Sequence, residues 1–185
     1  MKKLKFTTLL SQDDLVNIFC QGYLYEMNSF HVIEKPTKTY DTFRSRGSFL
    51  DESKFIYSKF KSGHTIIVKN IEYLNDNIKD ICYELGPHTN VHLYLVPKNG
   101  VTSFEFHQDN RDVLICMVYG RKIFYLKDDK NLTTEYHLGP GDQLSIKKGV
   151  WHKAQPIGGS CLLSFGTEPI EDYAVPSSFC KDDFL

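Results

Sequence analysis

The run Val113-Leu114-Ile115-Cys116-Met117-Val118-Tyr119-Gly120-Arg121-Lys122-Ile123-Phe124-Tyr125-Leu126 decides how this chain folds. It holds two stretches rich in apolar, β-branched and aromatic residues, Val113 to Val118 and Lys122 to Leu126, parted by Tyr119-Gly120. That pattern predicts two strands joined by a turn. Downstream the alternation continues: Thr133 to His137, Gln143 to Ile146 and Ser160 to Gly166 read as strands. Asp128-Asp129, Gly139-Pro140-Gly141 and Gly158-Gly159 supply turn chemistry between them. Upstream, Asn90 to Val96 reads as a strand closed by Pro97 to Gly100. Many short strands at close spacing predict a mainly β fold, a sandwich or a small barrel.

Towards the N-terminus the period changes. His64 to Lys69 is a β-branched strand bounded by Gly63, and Ile71, Leu74, Ile78, Ile81, Cys82 and Leu85 then recur at helical spacing. Ser11 and Asp14 form a capping pair ahead of Leu15, Ile18 and Phe19, which predicts a short helix over residues 12–21. Residues 28–50 show no sustained period and read as irregular or edge structure. A chain of 185 residues is the size of one domain. The expected division is an N-terminal helix and irregular segment (1–62), a β core (63–170) and a C-terminal tail (171–185).

Composition removes several function classes. A formal net charge of -1 gives no global basic field, so nucleic acid is not an expected partner. No stretch is long and apolar enough for a signal peptide or a spanning helix, and no membrane association is expected. Cys20, Cys82, Cys116, Cys161 and Cys180 are odd in number and scattered, which reads as reduced thiols in a cytoplasmic protein.

The chemistry-bearing segment is Phe106-His107-Gln108-Asp109, just before the strand at Val113. On extended backbone residues i and i+2 face the same side, so His107 and Asp109 can offer an imidazole nitrogen and a carboxylate oxygen to one ion. His152, which closes the unit Leu144 to Trp151, is the candidate third ligand. Two histidines and one carboxylate leave positions of the metal open and suit ferrous iron and O2 better than a thiolate set would. Taken singly, such a triplet is more often ordinary surface than a metal site, and His152 alone is more often a structural histidine beside Trp151.

Set in order, the motifs resemble the JmjC-type cupin oxygenases, in particular the ribosomal-oxygenase-like branch of the Fe(II) and 2-oxoglutarate-dependent enzymes. The resemblance spans Gly63 to Gly166. A strand of the form N-x-Y-x-T-P is matched by Tyr94 and Pro97, with His92 in place of the Asn and Val96 in place of the Thr. His107 and Asp109 follow, then Gly120-Arg121-Lys122. The final turn is matched by Pro140-Gly141-Asp142, Gly149 and His152, with Lys147 where Pro is usual. The resemblance implies a double-stranded β-helix of cupin or jelly-roll type with a few flanking N-terminal helices. The expectation is a minimal core without the winged-helix domain that follows the core in that family.

The same resemblance implies Fe(II), 2-oxoglutarate as co-substrate, and O2. Lys122 stands where the family carries the basic residue for the distal carboxylate of 2-oxoglutarate. Strand alternation alone leaves open whether Lys122 or Arg121 faces inward, since a bulge at Gly120 exchanges them. Ser160 stands where some relatives place a co-substrate hydroxyl, and reads equally as a turn residue. Tyr94 is a further candidate for the pocket. The implied reaction is hydroxylation of a C–H bond on a peptide or protein side chain. The runner-up is a free amino acid or small natural product, for which Arg111, Arg44 and Arg46 are the available arginines, each reading also as surface charge. A non-catalytic cupin binding module is the rival of another class. A Zn or Mn cupin isomerase calls for more histidines than the poorly spaced His92 and His137 provide. Either a monomer or a homodimer fits.

Overall fold

The computed structural model describes residues 9–27, 29–33, 41–42, 48–86, 88–100 and 103–167. Helix α1 (Gln12–Ile18) starts at the predicted cap: the Asp14 N–H donates to Ser11 Oγ at 3.0 Å, and Asp14 Oδ2 accepts from the Ser11 N–H at 2.7 Å. Those bonds satisfy donors that the first turn leaves open. The helix stops at Ile18 rather than residue 21, and α2 (Gly22–Glu26) follows, burying Leu24 and Tyr25.

Within residues 28–50, strands β1 (Phe30–Ile33) and β2 (Asp41–Thr42) are the edge alternative of the sequence reading, β2 being the outermost strand of the large sheet. β1 is buried along its whole length, so its sequence carries no polar alternation from which a strand can be read. Helix α3 (Phe49–Lys61) was not predicted. Its acidic first turn (Asp51, Glu52) and basic last turn (Lys59, Lys61) suit the helix dipole, yet only Glu52 and Ile56 are buried, so no apolar stripe announces it. Strand β3 (Thr65–Lys69) leads through a 3-10 turn (Ile71–Tyr73) to α4 (Asp76–Leu85), capped by the Asn75 side chain.

Seven further strands complete the fold: β4 (Asn90–Val96), β5 (Asp112–Tyr119), β6 (Lys122–Lys127), β7 (Thr133–Leu138), β8 (Gln143–Ile146), β9 (His152–Pro156) and β10 (Ser160–Thr167). All but β9 stand within a residue or so of the sequence reading. They form two antiparallel sheets, one ordered β2-β1-β3-β4-β10-β5-β8 and the other β7-β6-β9. This is a mainly β, double-stranded β-helix of jelly-roll type with flanking N-terminal helices. No described helix is long and apolar enough to cross a membrane.

The chain changes sheets at Gly120. Its φ is +73°, and a Cβ there would lie 2.1 Å from the Gly159 carbonyl oxygen. Only glycine fits such a crossing. The large sheet separates two cores. One, beneath the helices, contains Val91, Leu93, Cys116, Cys161, Leu163 and Phe165. The other, between the sheets, contains Val113, Ile115, Met117, Phe124 and Leu162.

Candidate metal centre and cavity

His107 and His152 are drawn together by backbone pairing. The His107 N–H donates to the His152 carbonyl at 3.0 Å and the His152 N–H returns the bond at 2.9 Å. Residues paired in this way project side chains to the same face, and the two rings lie 4.3 Å apart between centroids. The next residues are pinned to the same neighbour: the Gly149 N–H donates to the Asp109 carbonyl at 3.0 Å, and the Gln108 side-chain amide donates to the Gly149 carbonyl.

The two imidazoles are oriented as ligands. His107 Nδ1 lies 2.8 Å from the Glu105 carbonyl and His152 Nδ1 3.0 Å from the Val150 carbonyl. A carbonyl only accepts, so each Nδ1 carries the proton and each Nε2 keeps its lone pair for a metal. Asp109 Oδ2 is 3.5 Å from His152 Nε2. The ligand atoms of His107, Asp109 and His152 all lie within 4.8 Å of one another, a spacing one ion can bridge. This N,N,O set fits a divalent first-row ion with open positions.

Lys147, which stands where the resembled oxygenases usually carry Pro, helps fix the turn beside this site. Its Nζ is 2.6 Å from Asp112 Oδ2, while the Lys148 N–H donates to Asp112 Oδ1 at 2.8 Å. These bonds hold the Asp112 carboxyl below its usual range, the Lys147 hydrogen bond first. They also tie the turn that presents Gly149 to the start of β5.

The triad borders a cavity of about 330 Å³ between the sheets. Lys122 lines it, 3% exposed, whereas Arg121 points to solvent; this settles which of the two faces inward. Lys122 Nζ lies 5.7 Å from the centroid of the Tyr94 ring, and among the described residues no carboxylate pairs with it. Burial pushes its pKa down to about 8, against a smaller opposing effect of the neighbouring Cys161. A buried cation without a counter-ion fits an anionic ligand such as the distal carboxylate of 2-oxoglutarate.

Tyr94 lines the cavity as well. Ser160 does not: it continues the face of β10 that carries Leu162 and Ser164, but it lies beyond the lining, buried and with its hydroxyl unpartnered. Arg111 is on the cavity wall, and Arg44 and Arg46 fall outside the described residues. His137 is exposed beside Glu135, outside the metal cluster. His92 is outside the cluster too but lines the cavity, its pKa pushed down to about 4 by burial first, then by Lys69 and Arg111. Sequence reasoning missed Lys69, Asn90 and Ser164, which also line it. Their signal was present as polar residues at alternate positions of otherwise apolar strands.

No protein-family model and no curated protein sequence matches the chain. Among solved structures it is similar to YcfD, a ribosomal oxygenase from Escherichia coli, with a TM-score of 0.56 and 16% identity over 93% of this chain and 48% of that one. The complex of YcfD with cobalt and 2-oxoglutarate matches at a TM-score of 0.55 and 15% identity, over 86% of this chain and 44% of that one. A cupin superfamily protein from Desulfitobacterium hafniense overlaps 44% of this chain and 68% of its own at a TM-score of 0.38 and 16% identity. The likeness to YcfD is one of fold, and the chain spans about half of that protein's length.

Proposed function

We propose that this chain is a non-haem Fe(II) oxygenase that uses 2-oxoglutarate and O2 to hydroxylate a C–H bond, on a peptide or protein side chain. The observation that carries the reading is one cavity with two histidines and a carboxylate converging on its border and, in its lining, a buried lysine that pairs with no carboxylate among the described residues. Fe(II) with 2-oxoglutarate and O2 supplies C–H oxidation coupled to decarboxylation of the co-substrate to succinate and CO2. The protein's part is holding and orienting. His107 Nε2, His152 Nε2 and an Asp109 carboxylate oxygen take the metal, with both rings fixed by their Nδ1 bonds. Lys122 takes the distal carboxylate of 2-oxoglutarate beside Tyr94, while Val113, Ile115, Phe124 and Leu162 keep water from the wall. The shared fold with YcfD, and that protein's complex with cobalt and 2-oxoglutarate, support the reading.

The test is anaerobic loading with Fe(II) and 2-oxoglutarate, then admission of O2 and measurement of succinate. The wild type turns over, and Asp109→Ala falls by more than about 100-fold, the upper end of what loss of a mere outer-sphere partner does. Equal succinate from both proteins sinks the proposed centre. A gain of one oxygen on candidate peptides, read by mass spectrometry, tests the substrate; the same gain on free amino acids alone favours the small-molecule alternative.

A further inference from the structure

We propose that the part of the cavity wall formed by Lys69, His92 and Arg111 is the substrate subsite, and that it takes a carboxylate of the substrate. The carboxylate belongs to an acidic side chain or to a free chain end. The inference rests on the oxygenase reading and adds the class of molecule oxidised.

Strand register assembles the subsite. Lys69 and His92 are partners across β3 and β4, and His92 and Ser164 across β4 and β10, so the three form one polar row on the cavity side of the large sheet. Arg111 reaches the same region from the loop that follows Asp109. It occupies room that only Gly166 leaves: a Cβ on Gly166 would lie 2.6 Å from Arg111 Cδ and 2.7 Å from Asn90 Oδ1. His92 feels the charges of Lys69, Arg111 and Asp109 together, which gathers these groups around one zone beside a metal ligand.

The charge balance of that zone is one-sided. Among the described residues Asp109 is the only acid on the cavity wall, and as a ligand its charge is spent on the metal. Lys69, Arg111 and Lys122 are the cations. Lys122 is assigned to 2-oxoglutarate, and Lys69 and Arg111 bring a second pair of cationic side chains to the wall. Lys69 and Arg111 also interact with other residues of the chain, and the inference needs only that both face the cavity. In a wall of low dielectric, two like charges beside a divalent ion select an anion and reject an amine or guanidine. Arginine adds a fork that matches a carboxylate.

The probes are N-acetyl-Asp-amide and N-acetyl-Glu-amide for the side-chain source, N-acetyl-alanine for the chain end, and N-acetyl-Leu-amide and N-acetyl-Lys-amide as controls. Isothermal titration calorimetry of the anaerobic Fe(II)/2-oxoglutarate complex reports binding without turnover. Carboxylate probes are expected to bind at least about tenfold more tightly than the controls, a difference of about 1.4 kcal/mol. The arm that responds more strongly names the source. Lys69→Met and Arg111→Met each lose about tenfold for the carboxylate probe while 2-oxoglutarate affinity stays within about threefold. Lys69→Glu moves the preference towards N-acetyl-Lys-amide, a gain that a misfolded protein cannot show.

Preference for the leucine or lysine probe in the wild type, or no response to any carboxylate, overturns the proposal. So does loss of 2-oxoglutarate binding in Arg111→Met, which would give that arginine to the co-substrate. Carboxylate binding in a protein that makes no succinate leaves the subsite standing and removes the oxygenase reading instead.

Discussion

The strands of the large sheet present two different interiors. Along β4 and β10, Val91, Leu93, Leu95, Cys161, Leu163 and Phe165 close against the helices. One residue out of phase, Asn90, His92, Tyr94, Leu162, Ser164 and Gly166 line the cavity. Because side chains alternate with a period of two, both sets are written into the same strands, and a one-residue slip would exchange them. The helix-covered face is filled with hydrocarbon. The other face holds cations and hydroxyls beside an incomplete apolar core, so stability is concentrated on the first and chemistry on the second.

The largest effect should come from breaking the filled face. Phe165 is fully buried, and Phe165→Ala removes its packing at a cost of about 3–5 kcal/mol. For a chain of this length that lowers the unfolding midpoint by roughly 10 °C. Its neighbour Ser164 points into the cavity, and Ser164→Ala should stay within about 0.5 kcal/mol. Thermal and urea unfolding of the pair measure the contrast directly. Equal losses would mean the two faces do not differ as described.

Lys122 inverts the usual sign of a truncation. With no ligand bound, its charge is buried without a counter-ion among the described residues, and its pKa of about 8 lies below the ordinary lysine value. The unfolded chain therefore binds the proton more tightly than the folded one. Below pH 8 both states are protonated and the full penalty, about 3 kcal/mol, weighs on the fold; it fades as pH rises from 8 towards the unfolded lysine value of about 10.4. Lys122→Met should thus stabilise the ligand-free protein at pH 7, with a margin that narrows through that window. The same variant should lose 2-oxoglutarate affinity. A destabilised variant at pH 7 would show that Lys122 has a partner in solution and is not held in reserve for a ligand.

The same pKa predicts a smaller, graded effect on binding. The distal carboxylate of 2-oxoglutarate pairs with protonated Lys122, so affinity should be flat below pH 8 and fall by up to about tenfold per unit above it. Calorimetric titration of the anaerobic Fe(II) protein should also show proton uptake near that pH. Affinity unchanged up to pH 10 would give the distal carboxylate to another group, with Arg111 the obvious rival.

Much of this contrast is legible in the sequence. Strands β4 to β8 and β10 stand out because each alternates or is flanked by glycine, proline or aspartate, and the triad because His107 and Asp109 stand at i and i+2 and His152 follows in the ordered series of motifs. Strand β9 escaped because His152-Lys153-Ala154-Gln155-Pro156 has almost no apolar residue: one side faces the cavity and the other faces water. β1 escaped for the opposite reason, being apolar on both faces apart from His31. The inward turn of Lys122 was undecidable because Gly120 breaks the alternation just ahead of it. Arg111 reads as a possible substrate residue or as surface charge, and nothing in the sequence singles out Lys69, since it is β3 pairing with β4, far along the chain, that places Lys69 beside His92.

Ser160 carries the smallest of these effects and tests where the cavity face ends. It follows Leu162 and Ser164 in the same phase on β10, yet it lies past the lining with its hydroxyl buried and unpartnered. An unmet hydroxyl costs about 1–3 kcal/mol, and removing it relieves that cost while leaving only a small void. Ser160→Ala should therefore leave stability unchanged or raise it by up to about 1 kcal/mol, with the KM for 2-oxoglutarate unaltered. If instead the KM rises several-fold at constant stability, the hydroxyl turns to the co-substrate when it is bound. The functional face would then extend one residue pair further along the sheet, to Ser160 and its partner Val96.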